Sequence, residues 1–549
     1  MADFYERVGG LFLPAATPAQ RRLRFAKWEL MMLVNIRVCW FILPVTLLLG
    51  CIAPPGGFQK KDKQLTTAQC QNNPVSPRYQ PRETDAAPRV PRAPFGEVKM
   101  PYADGTIFPS HVSRAEMDRT ARSFYLQWKS RYLRQTCGEG RYQITTGHGQ
   151  DNLTVSEAHG YGMIVFALMA GADPHAQKYF DGMFHFFVEH PSSVHRNLMA
   201  WSQNICCRDD RGVDSATDGD VDIAYALLLA DRQWGSDGAI NYREEALKVI
   251  RAIRAKDVEP QARFTYLGDW AGTGTPAFQD GTRSSDFILG HYRSFGHASG
   301  NKDWDRLVAN LQRTMNAIQT KHSPLTGLLP DFIIKASSAN PEPARAGFLE
   351  GPHDGHHYYN ACRNPWRLGT DWLVSGDKNT RVILARMNRW IQKAADGKPS
   401  NILAGYTLQG KPLSGAGYET MAFIAPFAVS AMSHPDNQEW LDKLWTAVAR
   451  KGPENYYADS IRLMVLITVS GNWWAPEKLP AELTPAPVAE DGAAEQENAP
   501  AQESDSETPA PNDDAIEAAA EATQPNGADA STQATSNTAT DVTVSADED

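Results

Sequence analysis

The run Ala216-Thr217-Asp218-Gly219-Asp220-Val221-Asp222-Ile223-Ala224-Tyr225-Ala226-Leu227-Leu228-Leu229-Ala230-Asp231-Arg232-Gln233-Trp234 changes its periodicity part-way. Asp218, Asp220 and Asp222 come at spacing two, and then Ile223, Leu227, Ala230 and Trp234 recur at helical intervals, so a helix begins here with acids at its N-terminus. One use for them is local: Asp218 or Asp220 caps the helix and Asp222 complements its dipole. The other is chemical, because acids at a helix start can face a cleft. A calcium loop is excluded, since an EF-hand opened by these acids needs Gly where Ile223 stands and Glu where Leu229 stands.

The same helical spacing continues on both sides. It predicts helices around 115–134, 157–170, 176–189, 222–234, 242–254, 285–297, 303–320, 366–375, 378–394, 419–432, 437–449 and 458–470, with Gly, Pro, Asp and Asn clusters between them. About a dozen helices with no sustained strand-type alternation is the pattern of an all-α domain.

The two ends read differently. An apolar run from Cys39 to Cys51 follows Arg21, Arg22, Arg24 and Lys27, and it is short for a membrane span. It has the form of a secretory signal, with Leu48-Leu49-Gly50-Cys51 similar to the lipobox of bacterial lipoproteins. An exported protein is expected, either secreted or held as a periplasmic or outer-membrane lipoprotein through a lipid on Cys51. Residues 52–100 are rich in Pro, Gln, Lys and Arg and read as a linker. Residues 477–549 read as a disordered acidic tail, because a segment with 17 Asp and Glu after its last Lys, Lys478, buries too little apolar surface to offset its chain entropy. The net charge of −10 is therefore the tail's, residues 1–100 are basic, and the middle is near neutral, so no basic surface points to nucleic acid. Beyond Cys39 and Cys51, five cysteines remain: Cys70, Cys137, Cys206, Cys207 and Cys362. They leave room for a disulfide without fixing its pairing, and their spacing implies no zinc site.

Ala216-Thr217-Asp218-Gly219-Asp220, followed by Ile223-Ala224 and an aliphatic helix closing on Trp234, resembles the signature of glycoside hydrolase family 8, and the resemblance extends from about Tyr102 to Trp474. It implies an (α/α)6 barrel, a six-hairpin toroid over residues 101–476, with a cleft across the N-terminal ends of the inner helices. Glycosidic hydrolysis requires two carboxyl groups in distinct roles. The acid candidate is Glu157 in Ser156-Glu157-Ala158-His159-Gly160-Tyr161-Gly162, with Ser156 as the expected helix cap. Gly160 and Gly162 each cost about 1 kcal/mol inside a helix, and their expected use is close approach to the backbone, a sugar ring being the candidate. The family's proton donor lies in a motif that this segment matches except for Ala158. Asp218 maps onto the family's central acid, whose charge favours the protonated form of Glu157.

The base is the departure. Much of the family has Asp in a Tyr-Asp-Ala-x-Arg motif, and here the segment is Tyr359-Asn360-Ala361-Cys362-Arg363, where an amide cannot take a proton. Phe348-Leu349-Glu350-Gly351-Pro352 resembles the chitosanase and lichenase branch, where a loop Glu replaces that Asp, so Glu350 is the expected base and Asp354 the reserve. His353, His356 and His357 read as solvated loop residues rather than metal ligands. Family positions place Trp201, Trp270, Arg363 and Tyr359 on the sugar, with Arg283 and Asp286 beside them. The expectation is an inverting endoglycosidase cutting internal β-1,4 bonds of a polysaccharide, chitosan or a β-glucan of lichenan or cellulose type. It would act as a monomer without metal or cofactor. Asp269, where several cellulose-cutting relatives have Arg, leans the reading towards chitosan. The rival is an inert glycan-binding lipoprotein on the same barrel, motivated by Asn360; a lyase fits the two carboxylates less well.

Overall fold

Twelve α-helices run through the computed structural model, which describes residues 89–147, 152–274 and 276–479. They are α1 (Arg114–Tyr132), α2 (Ser156–Leu168), α3 (Ala176–Glu189), α4 (Thr217–Trp234), α5 (Tyr242–Lys256), α6 (Leu289–Ser299), α7 (Asp303–Lys321), α8 (Asn364–Ser375), α9 (Lys378–Ala394), α10 (Met421–Ala431), α11 (Gln438–Arg450) and α12 (Tyr456–Val469). Each coincides with a stretch of helical spacing in the sequence. The largest offset is α4, which starts at Thr217, so Asp218 and Asp220 stand in its first turn and Asp222 in the next rather than preceding it.

Burial sorts the helices into two rings. All of α10 and α12 is buried, and so is every residue of α2 except Glu157. By contrast α9 buries one stripe, Thr380, Ile383, Leu384, Met387, Asn388 and Ile391, at the spacing of a helix with one face on a core. The even-numbered helices touch in the order α2, α4, α6, α8, α10, α12, and α12 returns to α2. Outside them α3, α5, α7, α9 and α11 each pack on the inner helix before them, and α1 completes the ring against α12. This is an (α/α)6 barrel.

Glycines set the tightest inner contact. A Cβ on Gly160 of α2 would stand 2.6 Å from the Asp222 Cβ of α4, and one on Gly219 of α4 would stand 2.3 Å from Ser156 Oγ. Gly162 faces Ile144 and Met183 in the same way. What approaches the backbone at Gly160 and Gly162 is therefore neighbouring protein, not the sugar expected from the sequence. The close contact brings the first turns of α2 and α4, and with them Glu157 and Asp218, side by side.

Short strands cross the mouth. β1 (Leu133–Arg134) pairs antiparallel with β2 (Gln143–Ile144), and β3 (Asn152–Val155) with β4 (Ser202–Asn204). β5 (Gly281–Arg283), β6 (Phe332–Ile334) and β7 (Glu342–Pro343) form one antiparallel sheet in which Arg283 lies opposite Phe332. At the N-terminal edge Ala93 is 2% exposed, and Phe95 N–H donates to Ala170 O at 2.8 Å. The last part of the linker expected over 52–100 thus belongs to the domain. At the other edge Arg232 donates to Leu479 O at 2.6 Å, so the packed chain runs slightly past 476. The export segment 1–51 with Cys51, the linker to residue 88 and the acidic tail from residue 480 lie outside the described residues.

Cys137, between β1 and β2, is disulfide-bonded to Cys207, in the turn after β4, while Cys362 is free and buried. The bond closes a loop across a sequence separation of 70 residues, worth about 4 kcal/mol in the loop-closure account. Cys137→Ser is expected to lower the thermal midpoint by several degrees; an unchanged midpoint would show that the β4 turn is held by other contacts alone.

Candidate active site

Every inner helix delivers a group at its N-terminal end. Glu157 and Asp218 stand in the first turns of α2 and α4, Asp286 in the 3-10 turn Ser284–Asp286 before α6, and Arg363 in the 3-10 turn Ala361–Arg363 before α8. Tyr418 lies just before α10, and Tyr456 opens α12. Arg363 joins two of them, Glu157 and Asp218. Its Nη1 donates to Glu157 Oε2 and Asp218 Oδ2, both at 2.8 Å, and its Nη2 to Ser285 Oγ at 2.8 Å and Asn360 Oδ1 at 3.1 Å. The side chain is 2% exposed, so this charge sits where only paired ions are tolerated.

Arg283 forms a second bridge. Its guanidinium reaches Glu350 Oε1 at 3.5 Å, Asp286 Oδ2 at 3.6 Å and Asp218 Oδ1 at 3.9 Å. Two guanidinium groups thus face four carboxyl groups, and they cannot hold all four ionised. Asp218 touches both arginines, and their pull outweighs burial and keeps it below the usual carboxylate range. Burial pushes Glu157 up to about 7 against the pull of Arg363, and neighbouring Asp218 pushes the same way. Asp286 is likewise raised by burial to about 7, against Arg283. Glu157 is further fixed by Tyr456, whose hydroxyl donates to its Oε1 at 3.0 Å.

Glu350 comes from a loop, and the loop is tied down by its neighbours. Asp354 accepts the backbone N–H groups of Leu349, Glu350 and Gly351 at 2.8, 3.1 and 2.8 Å, and it is 2% exposed. The reserve base is therefore an anchor for the loop. Asn360 Nδ2 donates to Glu350 Oε2 at 2.7 Å, so the amide that cannot take a proton orients the carboxylate that can. Burial raises the Glu350 carboxyl above its ordinary value, opposed by Arg283 and the Asn360 hydrogen bond. Beneath this pair, Asp331 accepts the backbone N–H groups of Tyr358 and Ala361 at 2.9 and 2.7 Å, which sets the turn carrying Asn360 and Arg363.

Of the other sequence candidates, Trp270 is half-buried and meets Phe278 edge to face at 5.4 Å; Phe278 meets Phe348, close to Glu350, at 5.3 Å. Trp201 is half-buried ahead of β4, and its carbonyl accepts from Ser156 N–H at 2.8 Å, next to Glu157. Tyr359 stacks edge to face on Phe423 at 5.2 Å. Asp269 is 2% exposed and already accepts from Ser192 Oγ at 2.5 Å and Ser215 N–H at 2.9 Å, so it offers nothing to an ammonium group. His357 is buried with Nδ1 3.1 Å from Leu329 O, unlike the solvated residue expected. Neither helix start is capped by a side chain: Ala216 and Val155 hold the N-cap positions, and Ser156 lies inside α2. The helix-capping use of Asp218 and Asp220 therefore fails. Tyr456 and Asp331 escaped the sequence reading. The clue to Tyr456 was its place at the start of the last inner helix, where such starts face the cleft.

Comparison with known proteins identifies the family. The family profile "Glycosyl hydrolases family 8" matches residues 111–471. A β-glucanase of Niallia circulans is 45% identical over 385 residues, covering 70% of this chain and 92% of that one. An endoglucanase of Bacillus sp. (strain KSM-330) is 38% identical, covering 68% of this chain and 80% of that one. The apo structure of a β-1,3-1,4-glucanase from Paenibacillus sp. X4 superposes with a TM-score of 0.67 at 44% identity, over 70% of this chain and all of that one. Nothing among these relatives supports the inert glycan-binding alternative. A buried pair of arginines shared among carboxylates at the mouth of an (α/α)6 barrel, in a chain matched by that profile over most of its folded length, makes this protein a member of glycoside hydrolase family 8, an endo-cleaving glycosidase.

Proposed function

We propose that the enzyme hydrolyses internal β-1,4 bonds of a β-glucan of the mixed-linkage, lichenan type, with inversion. The observation that carries this is the chain of contacts Glu157–Arg363–Asp218–Arg283–Glu350, which supports one protonated and one ionised carboxyl in a single site. Glu157 gives its proton to the departing glycosidic oxygen as the C1–O bond breaks. Glu350 takes a proton from the water whose oxygen forms the new C1–O bond on the opposite face, so the product is the α-anomer. Asp218 stays ionised, keeps Glu157 protonated until transfer and stabilises positive charge at C1. Trp201, Trp270 and Tyr359 offer aromatic surface to the sugar rings. The burial of Asp269 removes the argument for chitosan, and the names of the relatives support a glucan.

We further propose that the chain works outside the cytoplasm, because the Cys137–Cys207 bond suits an oxidising compartment, and that Cys51 carries a lipid anchor. Fractionation of cells making the full chain should find it with the membrane, and Cys51→Ser should release it; recovery of the parent in the cytosol would overturn both points.

Lichenan, carboxymethylcellulose and chitosan supplied in parallel should show fastest release from lichenan, with the α-anomer first in the NMR spectrum. Faster cutting of chitosan would sink the substrate assignment, and a β-anomer the mechanism. Glu157→Gln and Glu350→Gln are each expected to lose about 10²–10⁴ in kcat with an unchanged circular dichroism spectrum. A Glu350→Gln variant as fast as the parent would remove Glu350 as the base.

The pH dependence of kcat should be a bell. Its acid limb follows ionisation of Glu350, above the ordinary carboxylate range, and its alkaline limb lies near pH 7, where Glu157 loses its proton. In Asp218→Asn the negative neighbour is gone and Arg363 is left to Glu157, so the alkaline limb should move to lower pH; a limb that stays or rises would contradict the role given to Asp218.

A further inference from the structure

Among the described residues, the large hydrophobic side chains left exposed are six aliphatics and a single aromatic, Tyr418, at 46%. The ring is open but not loose. Its hydroxyl is 2.7 Å from the hydroxyl of Tyr359, and its carbonyl accepts from Ala404 N–H at 3.0 Å. Both ends of the residue are therefore tied while about half of it remains exposed. The loop approaching it holds Gly415 and Gly417, and a Cβ on either would meet nothing within 4 Å, so no neighbouring chain crowds the segment.

Its position in the barrel gives the exposed ring a direction. Tyr418 stands just before α10, and in the closed order α2, α4, α6, α8, α10, α12 the helix across the axis from α10 is α4. The segment leading into α4 carries Trp201, whose N–H donates to Asp214 O at 2.8 Å, shortly before that helix begins. Trp201 adjoins the first turn of α2, next to Glu157, and the segment entering α4, which carries Asp218, while Asn360 holds Glu350 ahead of α8, the neighbour of α10. A glucan chain laid across the mouth from the α4 side to the α10 side would run from Trp201 past these carboxylates towards Tyr418.

We infer that Tyr418 is a sugar-binding platform, taking a β-linked glucosyl unit at the end of the cleft opposite Trp201. This rests on the glucanase reading above. A tyrosine fixed at both ends loses little side-chain freedom when a sugar's apolar face covers it, and the water released from an open ring adds to the gain. Tyr359 links the platform to the reacting centre, because the next residue, Asn360, holds Glu350.

The test compares the parent, Tyr418→Ala and Tyr418→Phe on lichenan and on a series of β-glucan oligosaccharides labelled at the reducing end, with KM, kcat and cleavage position read for each. Tyr418→Ala should raise KM for lichenan about three- to ten-fold at nearly constant kcat and move the preferred cleavage position in the longer oligosaccharides, leaving those too short to reach the ring unaffected. Tyr418→Phe keeps the ring and should remain close to the parent. An alanine variant with the parent's KM and cleavage pattern would overturn the platform. So would a phenylalanine variant as impaired as alanine, since that makes the Tyr359 contact the whole effect, or an equal loss on short and long substrates accompanied by a lower thermal midpoint. A parent inactive on every glucan would instead refute the glucanase reading, and the platform with it.

Discussion

One guanidinium, that of Arg363, has to satisfy carboxyl groups delivered by α2 and α4 while sitting almost wholly out of water. Removing Asp218 would leave this buried charge short of its counter-ion, a loss of several kcal/mol, and removing Glu157 would leave one of its N–H groups without an acceptor. The geometry of the mouth follows from this. Asp331 fixes the turn that carries Arg363, Ser285 ties that turn to the one before α6, and glycines let α2 and α4 come close enough for Glu157 and Asp218 to share the same nitrogen. Deeper in the barrel, Arg367 makes a second buried pair, both its terminal nitrogens meeting Asp222 at 2.9 and 2.5 Å within the otherwise apolar core.

Arg363 and Arg283 explain how four carboxyl groups coexist in one small volume. Two arginines support two negative charges. Asp218 touches both and stays ionised, while Glu157 and Asp286, raised by burial to about 7, hold the protons near neutrality. The difference in protonation between Glu157 and Asp218 comes from how many arginine contacts each receives, not from any difference between Glu and Asp.

The helical frame was legible in the sequence because burial on a helix leaves a local trace: outer helices such as α9 repeat apolar residues every turn, and inner ones such as α10 are long apolar runs bounded by Gly, Pro, Asp and Asn clusters. The catalytic candidates were legible through a resemblance to known motifs. What escaped was information held between segments distant in the chain. Gly160 and Gly162 advertise close approach, but only the fold shows that the visitor is α4 on one side and β2 with α3 on the other. Asp269 carries the charge a cationic sugar would want, yet Ser192 and Ser215 already occupy it. Tyr456 reaches Glu157 across a separation of 299 residues, and no local pattern encodes such a pairing. Asn360 looked like a lost base; beside Glu350 it is that residue's hydrogen-bond partner.

The way Asp354 gathers three successive loop amides has a wider consequence. The proposed base is mounted on a short strap that carries its own fastening, while the proposed acid and its arginine are built into the barrel wall. Two parts of one reaction centre therefore sit on differently built pieces of chain, joined where Asn360 and Arg283 meet Glu350. A change within the strap would shift the base while leaving the packing of α2, α4 and α8 around Arg363 in place.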